Sequence, residues 1–221
     1  MSRFALSSLL LAILATGCHD QSSQEQAFQE GQHSLKPIVA VVPVIDSTKN
    51  EYNWNLSDEL TSTLYYRMVK QNQFFLEELP RVRDVTAKLK EPQNPFGNDL
   101  SWIKRAFKGE EFVVFLELVE HEEVLKQDRK NPAAPESCSA DLNMSMRIRV
   151  FDLRGNEPKA ILQELVHDSH FVPKQFTHLN FHQVPWGDDN FNISPLGLAH
   201  MEFTKEITDR IEDYILVASK R

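Results

Sequence analysis

The chain has 221 residues, a formal net charge of −8, 41% hydrophobic residues and 25% charged ones. That balance is the globular average, which excludes a wholly disordered chain, a collagen-like fibre and a multi-span membrane protein. An acidic chain without a basic stripe argues against a nucleic-acid partner, and the length is enough for one domain with a sizeable core.

Arg3 supplies a short positive start, and Phe4 to Leu14 is an apolar run. A spanning helix needs about 20 apolar residues, so this run is too short to cross a bilayer. It reads as an export signal. Leu14-Ala15-Thr16-Gly17-Cys18 follows directly, with small residues just ahead of a Cys. This resembles a bacterial lipobox, with Ala15 standing where that pattern prefers Leu. The resemblance implies cleavage before Cys18 and acylation of its thiol by palmitate-type chains, which anchor the chain in a membrane. His19, rather than Asp, after the Cys implies the outer membrane, with the domain facing the periplasm. The alternative is an ordinary secretory signal in which Cys18 sits by chance. Cys138 is then the one thiol left, either free or bridged to another molecule.

The expected organisation is a lipoprotein signal peptide at 1–17, a lipidated Cys and flexible tether at 18–36, and one α/β periplasmic domain at 37–221. The tether, rich in Gln, Ser and Glu, has a mean reach of roughly 25 Å. Pro37 to Ile45 is a continuous apolar, β-branched run, which predicts a strand buried on both faces. Asn55 or Ser57 caps a helix, with Asp58 and Glu59 against its positive end. Leu56, Leu60, Leu64 and Met68 recur every four residues and give that helix one apolar face. Gln73 to Leu79 reads as a second strand, joined to the first by a right-handed parallel crossover. A helix over Pro80 to Lys90, a Pro-Gly loop and a short helix ending near Gly109 follow. Phe112 to Val119 predicts a central strand, and Glu120 to Glu136 an exposed loop.

Leu142 to Asp152 alternates cleanly. Leu142, Met144, Met146, Ile148 and Val150 share one face, and Asn143, Ser145, Arg147 and Arg149 the other, as in a half-buried strand. Arg154 to Pro158 is a turn, and Lys159 to Val166 returns as the hairpin partner. An irregular insertion is expected over 169–199, with Ser194 and Pro195 opening a last helix. Phe203, Ile207, Ile211, Tyr214, Ile215 and Ala218 make its apolar stripe. The fold class is therefore α/β (α+β): a mixed sheet of about five strands with helices on its faces and a closing C-terminal helix.

Val-Ala-Val-Val-Pro-Val-Ile-Asp before the first helix, and Phe-Phe-Leu-Glu-Glu-Leu after it, resemble a lipoprotein module. It is similar to the module of the curli-secretion-channel lipoprotein, of the lipoprotein activators of penicillin-binding proteins, and of the N-terminal domain of the Tol–Pal translocation protein. Taken whole, the chain resembles an outer-membrane lipoprotein family of chlamydial type. The resemblance implies an α/β module that assembles with other envelope proteins, and it implies no catalytic residue and no cofactor.

Candidate chemistry is sparse. His167, His170, His178, His182 and His200 crowd the region before the last helix, which raises a metal-binding or metal-dependent hydrolytic alternative. His178 and His182 converge only on a helix, which Pro173 and Pro185 oppose. His167 and His170 point to opposite faces of a strand, so no metal ligand is assigned. Asp168-Ser169-His170 are neighbours and cannot converge as a triad. No nucleophile elbow, phosphate loop or zinc-protease motif is present. Phe181, Trp186 and Phe191 lie in the irregular insertion, where aromatic anchors suit a partner surface. The reading is a lipid-anchored envelope protein that acts as a non-catalytic binding, adaptor or assembly module. Its partners are the membrane, through Cys18, and another envelope protein. A homo-oligomer, including an oligomeric secretion component, is a further alternative.

Overall fold

The computed structural model describes residues 36–49, 52–89, 93–126, 139–173, 176 and 184–220. The strands are β1 (Ile38–Val41), β2 (Ile45–Asp46), β3 (Phe75–Leu76), β4 (Phe112–Lys126), β5 (Ser139–Asp152) and β6 (Lys159–Val172). The helices are α1 (Leu56–Gln71), α2 (Leu79–Ala87), α3 (Ile103–Ala106) and α4 (Pro195–Ser219). A 3-10 turn at Phe191–Ile193 leads into α4.

The sheet order is β3-β1-β4-β5-β6, with β2 pairing alongside β4. β1 is parallel to both β3 and β4, whereas β4, β5 and β6 form an antiparallel meander. The expected mixed sheet with a closing helix is therefore present. Two cores flank it. Val39, Val41, Phe112, Val114 and the even-numbered face of β5 pack against α1 and α4. Ala40, Val42, Val113, Phe115 and Phe151 pack on the other side against Val82 of α2 and Ile103 of α3. The continuous apolar run of β1 follows from this double burial.

Local chemistry sets the boundaries. Pro43 has no N–H for the ladder, and the apolar run expected as one strand breaks there into β1 and β2. The break is repaired by α1: Thr61 Oγ1 accepts from Val44 N at 2.9 Å, and the Ser57 hydroxyl donates to the Val44 carbonyl. The Asn55 side chain caps α1 through Asp58 N, and Asn72 closes it in the left-handed region at φ 57°. Ser194 caps α4 through Gly197 N, with Pro195 in the first turn. Arg149 Nη1 donates to the carbonyls of Pro95 and Gly97, both at 2.9 Å, and pins that loop to the sheet.

Three further expectations are corrected. Glu120 to Lys126 is strand, paired with β5 as far as Lys126 and Ser139. A bulge between Leu118 and Glu120 shifts the register. Beyond it Glu120 and Glu122 share one face of the strand, while His121, which is buried, and Glu123, which is half-buried, lie on the other. The strand expected over Gln73 to Leu79 shrinks to β3. Finally, β6 runs to Val172 and α4 starts at Pro195, so the irregular stretch expected over 169–199 is shorter at both ends.

Candidate functional site

Helix α1 carries two stripes. Leu56, Leu60, Leu64 and Met68 enter the core. Glu59, Ser62, Thr63, Tyr66, Arg67 and Lys70 recur at three- and four-residue steps beside them and line a cleft of about 470 Å³. The opposite wall is the 3-10 turn and the first turns of α4, with Phe191, Gly197 and His200. Trp186 stands at the rim, 36% exposed. Gly197 permits this close packing: a Cβ there would lie 2.0 Å from the Phe191 carbonyl oxygen.

A buried polar chain runs behind the cleft. Glu59 and His200 are each only 1% exposed, and His121 is 6% exposed. Glu59 Oε1 lies 2.6 Å from His200 Nδ1, and Glu59 Oε2 accepts from Trp54 Nε1 at 2.7 Å. His200 Nε2 lies 2.7 Å from His121 Nε2. The proton order follows from the fixed ends. Trp54 can only donate, so the Glu59 carboxylate accepts from it and, at its other oxygen, from His200 Nδ1–H. The order that keeps both rings neutral has His200 Nε2 accept from His121 Nε2–H. Burial, followed by the adjacent His200, depresses the His121 pKa from 6.5 to about 3, so this ring is neutral at ordinary pH. His121 Nδ1 is left as a buried nitrogen without a partner among the described residues. Aromatic rings pack around the chain: Tyr52 stacks on Trp54 at 4.6 Å and meets His121 edge-on, and Phe191 meets Trp54 and His200 edge-on. Burial, reinforced by Glu123 and Glu59, raises the Tyr52 pKa.

A second trio lies on the sheet face opposite α1 and α4. Ser145 Oγ donates to Glu120 Oε2 and lies 2.9 Å from His167 Nδ1, which is itself 3.4 Å from Glu120 Oε2. The residue types are those of a hydrolase, but the wiring is not. In a working triad the two ring nitrogens of the His face the nucleophile and the carboxylate separately. Here Ser145 and Glu120 share one nitrogen, and Ser145 is 4% exposed.

The residues expected from sequence fall in different places. Cys18 and Phe181 lie outside the described residues, as do His178 and His182. Trp186 sits at the cleft rim. Phe191 is 3% exposed and belongs to the core and the cleft wall. Its ring props the buried chain and is not presented outward as an anchor. His167 and His170 do point to opposite faces, toward Glu120 and toward Glu202 of α4. His200 goes to Glu59. Among the described residues no group of three or more His, Cys, Asp and Glu is placed to hold a metal ion. Sequence reading missed Trp54, Glu59 and His121 of the buried chain and Tyr66, Arg67 and Lys70 of the cleft.

Over residues 24–219 the chain matches the family described as "Family of unknown function (DUF7499)". It belongs to that family. No curated protein matches it. Among solved structures it is similar to the hypothetical protein CT253 from Chlamydia trachomatis, at 26% identity and TM-score 0.63, covering 81% of this chain and 98% of that one. The likeness to a chlamydial protein expected from the sequence is thus found. Two likenesses are more distant. One is GNA1162 from Neisseria meningitidis, at 10% identity, 67% and 89% coverage and TM-score 0.38. The other is the LpoB C-terminal domain from Salmonella enterica, at 15% identity, 65% and 90% coverage and TM-score 0.35. At these scores neither carries an argument about this chain.

Proposed function

We propose that this protein is a lipid-anchored cell-envelope module that works by binding rather than by chemistry, with a second envelope protein as its partner. One observation carries the non-catalytic half. Three groups at the centre of these clusters that could do acid–base or nucleophilic work are held by bonds inside the protein. Both oxygens of Glu59, both nitrogens of His200 and the hydroxyl of Ser145 have partners within the protein. What faces solvent is a cleft with an aromatic rim, which suits recognition. The anchoring half rests on the sequence from Arg3 to Cys18. The proposed attachment is acyl chains on Cys18, several of them sufficing for stable anchoring.

The test is growth with radiolabelled palmitate, comparing wild type with Cys18→Ala, together with membrane fractionation. Wild type is expected to carry label and sediment with outer-membrane vesicles, and Cys18→Ala to lose both. Absence of label from wild type refutes the anchor. For the partner, a photo-crosslinking residue at position 186 is expected to capture one defined envelope protein in intact cells. No specific adduct, with the protein folded and localised, counts against an adaptor role.

A further inference from the structure

We propose that the cleft between α1 and the start of α4 binds a small organic anion. Its carboxylate or phosphate is held by Arg67 and Lys70, and its ring-shaped or apolar body lies against Trp186 and Tyr66. This deepens the binding-module reading by naming a ligand class for its cleft, and it does not depend on Cys18.

The charge around the cleft is the first observation. The protein as a whole carries −8, yet Arg67 and Lys70 both line this cleft. Lys70 takes part in no ion pair among the described residues. The one carboxylate in the lining, Glu59, lies at the buried end with both oxygens already bonded. Asp209, the other carboxylate near Arg67, is matched to Lys205 at 2.6 Å and to the Gln71 amide. The lining therefore carries a net formal charge of +1, Arg67 and Lys70 against Glu59, with Asp209 also acting on Arg67, and the positive end of the 25-residue helix α4 adds to it.

The second observation is the state of Arg67. Its Nη2 donates to the Met201 carbonyl at 3.0 Å, which holds the guanidinium in place. Its Nε is buried and has no acceptor among the described residues. A buried donor without an acceptor is costly and calls for an explanation. A ligand in the cleft cannot reach that buried atom, but Nη1 of the same pre-positioned guanidinium makes no hydrogen bond among the described residues and is the donor left for an anion, in a charge-assisted bond.

Shape is the third. About 470 Å³ falls in the range of small-molecule sites. Tyr66 and Trp186 are 68% and 36% exposed, so two aromatic rings border a polar floor that includes Ser62 and Thr63. Such rings offer flat apolar area at low entropic cost, while the polar groups fix orientation.

The test is titration calorimetry on the purified full chain with 2-naphthoate, 2-naphthyl phosphate and uncharged 2-naphthamide. At least one anion is expected to bind on the order of tenfold more tightly than the amide, and which anion wins separates a carboxylate source from a phosphate source. The Arg67→Gln/Lys70→Gln variant is expected to remove that preference while leaving amide binding unchanged, and Trp186→Ala to weaken all three probes. Lys70→Gln alone, at an exposed position, repeats the test if the double variant fails to fold. Equal affinity for amide and anions overturns the proposal. So does an anion preference that survives the charge substitutions, or no binding of any probe at millimolar concentration. Cys18→Ala is expected to bind as wild type does, so failure of the lipid anchor and failure of this site are told apart.

Discussion

Replacing Glu59 tests the proton order assigned to the buried chain. Glu59→Ala leaves Trp54 Nε1–H and His200 Nδ1–H as buried donors without an acceptor. Each orphaned donor costs about 1–3 kcal/mol, and the deleted side chain leaves a cavity. A loss of about 4 kcal/mol is expected, a large share of a typical total of about 5–15. Glu59→Gln behaves differently. Its carbonyl oxygen can still accept from Trp54, but its amide then donates toward His200 Nδ1. His200 must shift to the Nε2–H tautomer, and His121 must accept and carry its own proton on Nδ1. The hydrogen bonds survive in number, lose their charge assistance, and leave His121 Nδ1–H without an acceptor. The expected cost is about 2 kcal/mol. Urea denaturation at neutral pH reads the stabilities, and imidazole nitrogen chemical shifts read the tautomers. For a domain of this size the melting temperature falls about 2–4 °C per kcal/mol. Equal destabilisation by Gln and Ala, or an unchanged His200 tautomer in Glu59→Gln, refutes the assigned order.

Gly197→Ala is expected to destabilise although Ala is the better helix former. The propensity gain is at most about 1 kcal/mol, whereas a Cβ 2.0 Å from the Phe191 carbonyl oxygen and 2.8 Å from its carbon forces backbone to move, costing about 1–3 kcal/mol or more. A melting temperature at or above wild type contradicts this. Because burial holds the His121 pKa near 3 rather than 6.5, the unfolded chain binds a proton between those values that the folded chain does not. Stability is therefore lost as pH falls from 6.5 toward 3, by up to about 1.4 kcal/mol per pH unit. His121→Gln, whose amide can still donate to His200, is expected to flatten that slope in denaturation series across pH. Glu212 has the opposite sign. Burial, then Asp209 and Asp213, raises its pKa from 4.5 to about 7, so it disfavours folding progressively as pH rises through that interval. Glu212→Gln is expected to raise the melting temperature at pH 7 and above, and to steepen the acid-side slope left to His121. No change at either pH refutes the assignment.

The fold was legible wherever a local period reports burial. The apolar four-residue step of α1 and the alternation of β5 each mark a face that the structure buries, and Ser194-Pro195 marks the start of α4. The extension of β4 through Glu120 to Lys126 was not legible. Its charged residues fall on both faces of a hairpin whose pairing with β5 supplies the backbone bonds, and composition does not report a partner strand. The buried chain was hidden for a related reason: His121 and His200 are 79 positions apart, and Glu59 and His200 are 141. Glu59 read as a helix-capping acid, which its place in the first turn of α1 also satisfies. The one local signal was the second stripe of that helix, where Glu59, Ser62, Thr63, Tyr66, Arg67 and Lys70 keep helical spacing beside the apolar face.

The buried chain also explains why α4 closes the domain in one register. An apolar stripe such as Phe203, Ile207, Ile211 and Ile215 tolerates sliding, because similar side chains can exchange places in a core of this kind. His200 removes that freedom. It meets Glu59 on α1 through one nitrogen and His121 on β4 through the other, so a shift of one turn along the helix would strand three buried polar groups at about 1–3 kcal/mol each. The same bonds fix the start of α4 against Phe191 and set the wall of the cleft, with Arg67 tied to Met201 one residue beyond. A polar line that contributes little net stability against a well-packed apolar alternative therefore positions the cleft in which Arg67 remains incompletely satisfied.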